Sequence, residues 1–113
     1  KIEKIARIDR FYVEQFAYFL GRLKEAKDAG GKSLLDSSMV VYTSGLSDGN
    51  QHRHTDLPLI LAGSGGGRLA TGRHVLLPGE QPMTNLFVTL LDIMGTPVDA
   101  FGDSTGRLDA VCG

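Results

Sequence analysis

The feature that most constrains the fold of this chain is a long amphipathic pattern near its start. Its apolar residues, at spacings of three and four, are Ile5, Ile8, Tyr12, Phe16, Phe19, Leu20 and Leu23. This spacing places them on one face of an α-helix. Only Gly21 interrupts the pattern over residues 4–27, and DAGG at 28–31 predicts the stop. A helix of about 24 residues is about 36 Å long, so it must pack against something sizeable.

Short apolar runs after the helix predict β-strands. SMVVYTSG at 38–45 and LPLILAG at 57–63 are nearly continuous apolar runs bounded by turn-forming residues. Such runs are typical of buried strands, especially of parallel strands covered on both faces. Pro58 suits the first position of its strand, where a missing N–H costs little. GRHVLLP at 72–78 predicts a third, shorter strand.

The second half of the chain predicts one further helix. TNLFVTLLDIMG at 84–95 has a helical apolar stripe, with Thr84 as the expected N-cap and Gly95 as the stop. Helix, strand, loop, strand, short strand and helix together predict an α/β fold, a layered sheet with flanking helices. Ligand sites in such sheets collect in the loops beyond the carboxyl ends of the strands. The loop that follows residues 38–45 is therefore the place to look for chemistry.

Composition narrows the class of protein. With 42% hydrophobic residues, 22% charged residues and a net charge of −1, the chain lacks the basic excess that binds nucleic acid, so we expect no nucleic-acid partner. Cys112 is the single cysteine, which excludes an internal disulfide and a cysteine cluster for zinc. No apolar stretch approaches the roughly 20 residues that span a bilayer.

The two ends of the chain predict that it belongs to something larger. The first residue, Lys1, already stands at the edge of a helical pattern, and RLDAVCG at 107–113 has no clear closing element. No signal-peptide pattern opens the sequence. We therefore expect residues 1–113 to form a single segment, the C-terminal part of a larger α/β domain, with any targeting sequence upstream.

One polar loop concentrates the groups that bind metal ions. SDGNQHRH at 47–54 offers the Asp48 carboxylate, the Asn50 amide oxygen and the imidazoles of His52 and His54. In extended backbone, residues two apart point to the same side, so the two histidines could converge on one ion. Mixed carboxylate and imidazole ligands suit zinc, manganese or iron better than calcium. The alternative is a polar turn, with Asp48 and Asn50 bonded to their own backbone and the histidines in water.

Other polar groups carry weaker hypotheses. Asp56 is either a partner of a ligating histidine or a simple strand-end residue. GSGGG at 63–67 lacks the Lys and Ser/Thr of a phosphate loop and predicts a flexible turn. His74 is expected to be a structural histidine, and residues 103–105 are expected to form an Asx-type turn. The serines at 44–47 lack a nucleophile elbow, so we do not expect a serine hydrolase.

Four blocks of the sequence carry a family resemblance. They are RFYVEQFAYFLGRLKE (10–25), LLDSSMVVYTSGLSDGNQHRHTDLPLILAG (34–63), GGRLATGRHVLLP (66–78) and TNLFVTLLDIMGTPVDAFGDSTGRL (84–108). In this order they resemble the C-terminal part of an uncharacterised bacterial family named for an HXXSHH motif, frequent in planctomycetes and related bacteria. The resemblance covers nearly the whole chain. The naming motif is not in this sequence, and the resemblance places it upstream.

The same segment resembles the C-terminal part of the alkaline phosphatase and sulfatase superfamily fold. In that fold a buried strand ends in an Asp-containing loop that binds metal, and a histidine shortly before the next strand is another ligand. Carried over by position, the resemblance makes Asp48 the carboxylate ligand with Asn50 close by. His54 becomes the better histidine candidate and His52 the second. The superfamily often has His or Asn directly after the aspartate, whereas this chain has Gly49, which leaves the number of metal ions open.

The resemblance implies a function for the whole protein. It would be an exported hydrolase of phosphate or sulfate esters that depends on a divalent ion such as zinc, manganese or calcium. The nucleophile and the remaining ligands would come from the upstream part of the same protein, so residues 1–113 alone would be inactive. The alternative is a non-catalytic binding or structural protein that keeps the sulfatase-like fold and binds a partner or carbohydrate through residues 52–56.

Overall fold

Two units, residues 1–63 and 64–113, make up the fold. The computed structural model describes every residue, 1–113, and is a small mixed α/β fold with three helices and a two-stranded antiparallel sheet. None of the helices combines the length and the apolar character needed to cross a membrane. The elements are α1 (Ile2–Glu25), α2 (Leu34–Ser37), β1 (Val40–Thr43), β2 (Leu59–Ala62), α3 (Thr84–Ile93) and a 3-10 turn (Asp109–Val111).

The long N-terminal helix is confirmed as α1. It ends where the N–H of Ala26 donates to the carbonyl of Arg22 at 3.0 Å, two residues before the predicted stop at 28–31. On its apolar face Phe16, Leu20 and Leu23 are half-buried. The ring of Phe16 stacks on Tyr42 of β1, with 4.8 Å between the ring centroids. The C-terminal half of α1 is thereby fixed to the sheet.

The N-terminal half of α1 keeps its apolar face exposed. Ile5 is 58% exposed, Ile8 54% and Tyr12 58%, and no residue of α1 is fully buried. The sheet is too small to cover the helix, because strands of four residues span only about 13 Å against about 36 Å for α1. The sizeable surface that the helical pattern predicts is therefore not supplied by this sheet.

Both strands form where the apolar runs predict them, but the sheet is antiparallel rather than parallel. Val40 pairs with Ala62 and Thr43 with Leu59. The prediction of strands buried on both faces was also wrong, since no strand residue is fully buried. The physical reason is the path of loop 44–58, which folds back on itself and returns the chain directly beside β1. A parallel neighbour would require a crossover to the other end of the sheet.

Gly63 closes unit 1 at a position that no other residue fits. Its φ is +87°, and a Cβ atom there would lie 2.1 Å from the carbonyl oxygen of Ser38 and 2.9 Å from that of Leu35. Leu35 belongs to α2, and Ser38 is the C-cap residue of that helix. Gly63 therefore lets the end of β2 approach the end of α2 closely.

Unit 2 is built around α3, which confirms the second predicted helix. Leu86 and Val88 of α3 are buried together with Leu69. The predicted N-cap was wrong, because the cap position is Met83. The hydroxyl of Thr84 instead donates to Oδ1 of Asp103 at 2.6 Å, so it ties the start of α3 to the segment that follows the helix.

Two buried polar side chains of α3 hold the C-terminal segment. The amide nitrogen of Asn85 donates to Gln81 and to the hydroxyl of Thr105, and its amide oxygen accepts from the N–H of Thr105 at 2.8 Å. The hydroxyl of Thr89 accepts from the N–H of Leu108 at 2.8 Å. Thr89 is 0% exposed and Asn85 2%. Buried groups satisfied in this way fix one arrangement of the chain.

The third predicted strand, over residues 72–78, does not form. No other segment of the chain pairs with these residues, and Leu76 remains 85% exposed. The guanidinium of Arg73 donates to the carbonyls of Ala110 and Cys112 at 2.7 and 3.2 Å. This segment is thus held through one long side chain rather than through a backbone ladder.

Candidate functional site

The polar loop between β1 and β2 is closed by its own backbone. The N–H of Ser47 donates to the carbonyl of Arg53 at 2.9 Å, and the N–H of Arg53 donates to the carbonyl of Asp48 at 3.1 Å. These two bonds form an isolated antiparallel bridge between Asp48 and Arg53. The bridge brings the two ends of the candidate metal-binding stretch side by side. Asp48 is one of its two residues, and His54 directly follows the other, Arg53.

Asp48 shapes the turn at the tip of this loop. Its Oδ1 atom accepts hydrogen bonds from the N–H groups of Asn50 and Gln51, at 2.9 and 3.1 Å. This is the Asx turn that the polar-turn interpretation predicts for the aspartate. The second carboxylate oxygen, Oδ2, has no hydrogen bond. Asp48 therefore still offers one oxygen for a ligand or a substrate group.

His54 is the best-oriented candidate in the loop. Its Nδ1 atom lies 2.9 Å from the carbonyl oxygen of Gly45. A carbonyl oxygen only accepts, so the neutral ring carries its proton on Nδ1 and keeps a lone pair on Nε2. Metal-ligating histidines typically donate the other ring N–H in this way, often to a backbone carbonyl. His54 is exposed, so Nε2 is accessible to a metal ion or a proton.

His52 and Asn50 are less restrained. Both are exposed and neither side chain has a hydrogen bond. His52 has a φ of +51°, in the left-handed region, so residues 52–54 are not the extended backbone that the spacing argument assumed. Strand geometry therefore does not hold His52 on the same side as His54. Asp56 also has a φ of +51°, so the loop turns again before β2.

The loop fits part of a metal site rather than a complete one. The chain contains no group of three or more His, Cys, Asp or Glu side chains that could hold a metal ion. Within the loop, Nε2 of His54 and Oδ2 of Asp48 are open ligand atoms on side chains that hydrogen bonds hold in place, whereas the open side chains of His52 and Asn50 are not held. An imidazole nitrogen and a carboxylate oxygen suit zinc or manganese, and a stable site needs three or four protein ligands. Further ligands would have to come from outside this loop.

Two further contributors to the site, Gly45 and Arg53, were not predicted from the sequence. Gly45 positions His54 through its main-chain carbonyl, and Arg53 closes the loop through its main-chain N–H and carbonyl. No side-chain pattern could have revealed either role, because any residue type carries those backbone groups.

The other polar candidates either form hydrogen bonds within the fold or have no hydrogen-bond partner. Ser104 accepts a hydrogen bond from the N–H of Phe101 at 2.8 Å, and Asp103 bonds to Thr84, so the predicted Asx turn at 103–105 does not form. The glycine run at 63–67 is a turn, as predicted, in which the N–H of Gly67 donates to Ser64. His74, expected to be a structural histidine, is exposed and has no hydrogen bond.

A cluster of charges in unit 2 is already paired. Arg107 contacts Asp92 at 2.6 Å and Asp109 at 2.9 Å, and Arg68 lies 3.8 Å from Asp92. The hydrogen bonds that the Arg107 guanidinium donates to Asp92 and Asp109 raise its pKa above its usual range. An apolar groove in the same unit has no polar group to hold a reacting atom. It is lined by Phe87, Leu90, Leu91, Met94 and Phe101.

Comparison with known proteins gives no match. No protein-family model matches the chain, and neither does any curated protein or solved structure. The resemblances to the HXXSHH-motif family and to the alkaline phosphatase and sulfatase superfamily therefore stay predictions, and the loop geometry is the observation on which a functional proposal can rest.

Proposed function

We propose that residues 1–113 are the C-terminal part of a metal-dependent hydrolase of phosphate or sulfate esters, with an alkaline phosphatase-like fold and the HXXSHH-motif family as its relatives. In this proposal His54 and Asp48 are ligands of a divalent ion, and Asn50 and His52 are secondary candidates. The remaining ligands and the nucleophile belong to the upstream part of the protein. The small anionic ester is the substrate.

The observation that carries the proposal is the hydrogen bond from Nδ1 of His54 to the carbonyl of Gly45. It fixes the tautomer and the orientation of the ring before any ion binds, which lowers the entropy lost on coordination. The turn around Oδ1 of Asp48 does the same for the carboxylate and leaves Oδ2 as its open donor. The two residues are joined by the bridge between Asp48 and Arg53, so they are held on adjacent backbone segments.

The chemistry follows from these donors. A divalent ion bound there would polarise a phosphoryl or sulfuryl oxygen and stabilise the charge that develops on the attacking and leaving oxygens. The residues of this chain would bind and orient. Gly45 holds the imidazole of His54, the N–H groups of Asn50 and Gln51 hold the carboxylate of Asp48, and the exposed loop admits a small anionic group.

A second candidate function has its own supporting observation. Oδ1 of Asp48 is engaged by two backbone N–H groups, as in an ordinary polar turn, and His52 is exposed without a partner. A non-catalytic protein that uses residues 52–56 to bind a partner or a carbohydrate would need no more than this. Metal binding separates the two candidates, because only the hydrolase requires the donors of Asp48 and His54 together.

The test is zinc and manganese binding by the full-length protein, with His54→Ala and Asp48→Ala as variants. We expect each variant to weaken binding more than about 100-fold, since loss of an outer-shell partner alone costs roughly 10–100-fold. Hydrolysis of aryl phosphate and aryl sulfate esters should fall with metal occupancy. His74→Ala is the matched control, because His74 is also exposed and lies in the other unit.

Two results would contradict the proposal. One is a full-length protein that folds normally by circular dichroism and binds neither ion. The other is metal binding that is weakened as much by His74→Ala as by His54→Ala, which would show that histidine content rather than the loop is responsible.

A further inference from the structure

The tip of the loop contains a backbone step that is unique in this chain. Asp48–Gly49 is the only place where an aspartate or asparagine directly precedes a glycine. A glycine at this position leaves its main-chain nitrogen sterically open, because there is no Cβ atom to shield it. The step therefore combines a carboxyl group with an unshielded neighbouring nitrogen.

The structure brings these two groups together and leaves the nitrogen unengaged. The hydrogen bond from Asn50 N–H to Oδ1 of Asp48 closes a ring of atoms that includes the main-chain nitrogen of Gly49. The carboxyl group is thus folded over the Gly49 peptide. The N–H of Gly49 itself has no hydrogen-bond partner, and the space around its Cα is open. The Gly49 nitrogen therefore has no hydrogen bond of its own to lose when it approaches the carboxyl carbon.

We propose that Asp48 is a site of spontaneous conversion to isoaspartate through a succinimide. The main-chain nitrogen of Gly49 attacks Cγ of the Asp48 carboxyl group, a new N–Cγ bond closes a five-membered ring, and one carboxyl C–O bond breaks. That oxygen leaves as water, with the nitrogen-bound proton and one proton from the carboxyl group or the solvent. Water then opens the ring. Attack at Cγ restores aspartate, whereas attack at the main-chain carbonyl carbon gives isoaspartate, and the net change is an isomerisation.

The turn also holds the carboxyl group in place. When the nitrogen attacks, negative charge develops on one carboxyl oxygen. Oδ1 already accepts from the N–H groups of Asn50 and Gln51, at 2.9 and 3.1 Å. Because these bonds already exist before the attack, their contribution is to keep the carboxyl group beside the Gly49 peptide.

The chain contains a matched comparison in unit 1. Oδ1 of Asp28 accepts from the N–H groups of Gly30 and Lys32, at 2.8 and 3.0 Å, which is the same type of turn around an exposed aspartate. The following residue is Ala29, however, whose methyl group shields the nitrogen. Asp28 therefore has the turn without the open nitrogen, and we expect it to remain aspartate.

Conversion of Asp48 would disturb the proposed ligand loop. Isoaspartate adds one methylene to the main chain. Asp48 forms the bridge with Arg53, in which the carbonyl of Asp48 accepts from the N–H of Arg53 at 3.1 Å. A longer main chain there shifts Arg53 and the neighbouring His54 relative to Gly45. The modification is a chemical event that needs no metal ion, so its test does not depend on the proposed hydrolase function.

The experiment is prolonged incubation of the folded chain at neutral pH, followed by enzymatic methylation of isoaspartyl carboxyl groups and peptide mapping. We expect isoaspartate at Asp48 and none at Asp28. Gly49→Ala, which has open space for its methyl group, should lose the product at Asp48. Ala29→Gly should create a second site at Asp28.

Each outcome decides the proposal. Product that first accumulates at another aspartate, or that persists at Asp48 in Gly49→Ala at an unchanged rate, would overturn it. An unmodified Asp28 in Ala29→Gly would overturn the role assigned to the turn geometry. Product that forms only after denaturation in urea would likewise overturn it, because the folded loop would then protect the step rather than promote it.

Discussion

Loop 44–58 and the C-terminal segment 101–113 are both largely irregular, but the hydrogen bonds that hold them differ in range. Within the loop, the hydrogen bonds join residues no more than nine positions apart, and nearly all of them have a main-chain group as donor or acceptor. In the C-terminal segment, the buried side chains of Asn85 and Thr89 bond to backbone groups 20 and 19 residues further along the chain. The loop leaves some of its polar side chains open to solvent, whereas the side chains that hold the C-terminal segment are buried and fully hydrogen-bonded.

The difference shows where chemistry can occur in this small chain. A side chain that satisfies a buried backbone group cannot also bind a ligand without leaving that group unpaired. Asn85 and Thr89 are therefore structural, although both are the kinds of residue that line binding sites. Nε2 of His54 and Oδ2 of Asp48 are open because the loop is held mainly by other atoms.

The largest effect expected from this comparison is the loss of Asn85. Asn85→Ala removes the acceptor of the Thr105 N–H and leaves that group unpaired beside a buried helix. We expect a loss of about 3 kcal/mol in the free energy of unfolding, measured by urea denaturation. Asn50→Ala is the matched control, because the Asn50 side chain is exposed and has no partner, and it should change stability by less than about 0.5 kcal/mol. Similar losses in both variants would remove the distinction between the two regions.

A smaller loss is expected at the loop aspartate. Asp48→Ala removes the acceptor of two exposed N–H groups, which water can replace, so we expect a loss of about 1 kcal/mol in the free energy of unfolding. Asp48→Asn keeps an amide oxygen that can accept from Asn50 and Gln51, and it should recover most of that loss in the same urea denaturation experiment. If the two variants are equally destabilised, the negative charge rather than the turn stabilises the loop.

The smallest effect is a gain in stability at His52. This residue adopts φ = +51°, which glycine tolerates better than a residue with a Cβ atom. His52→Gly should therefore be neutral or raise the free energy of unfolding by about 0.5 kcal/mol. His74→Gly provides the control, since His74 does not have a positive φ, and it should not be stabilising. A clear destabilisation by His52→Gly would mean that the imidazole makes a contact that holds the loop.

Local patterns predicted α1, α3, β1 and β2, whereas the short helix α2 and the arrangement of the sheet were not predicted. The period of α1 and α3 and the apolar runs of β1 and β2 lie within short windows of sequence. The relative direction of the two strands depends on the path of loop 44–58. A third strand at 72–78 would need a neighbouring strand to pair with, and none is present. Neither property is encoded in the run of residues itself.

The candidate site was predictable only in part, for a similar reason. Asp48 followed by glycine is a recognisable turn pattern, so its Asx turn was among the alternatives. The orientation of His54 depends on the carbonyl of Gly45, nine residues earlier, and no side-chain pattern marks that contact. The backbone at His52 is left-handed, so the argument for two converging histidines does not hold. This conformation was not predictable from the sequence.

Nitrogen-15 NMR of the histidine rings during a zinc titration tests the proposed role of His54 as a metal ligand. We expect His54 to be the Nδ1–H tautomer in the free protein, and we expect zinc to shift its Nε2 resonance while Nδ1 keeps its proton. The ring of His74 should show neither the preference for the Nδ1–H tautomer nor the zinc-induced shift. A His54 ring in the Nε2–H tautomer, or a zinc response no larger than that of His74, would contradict the assignment of this loop as part of a metal site.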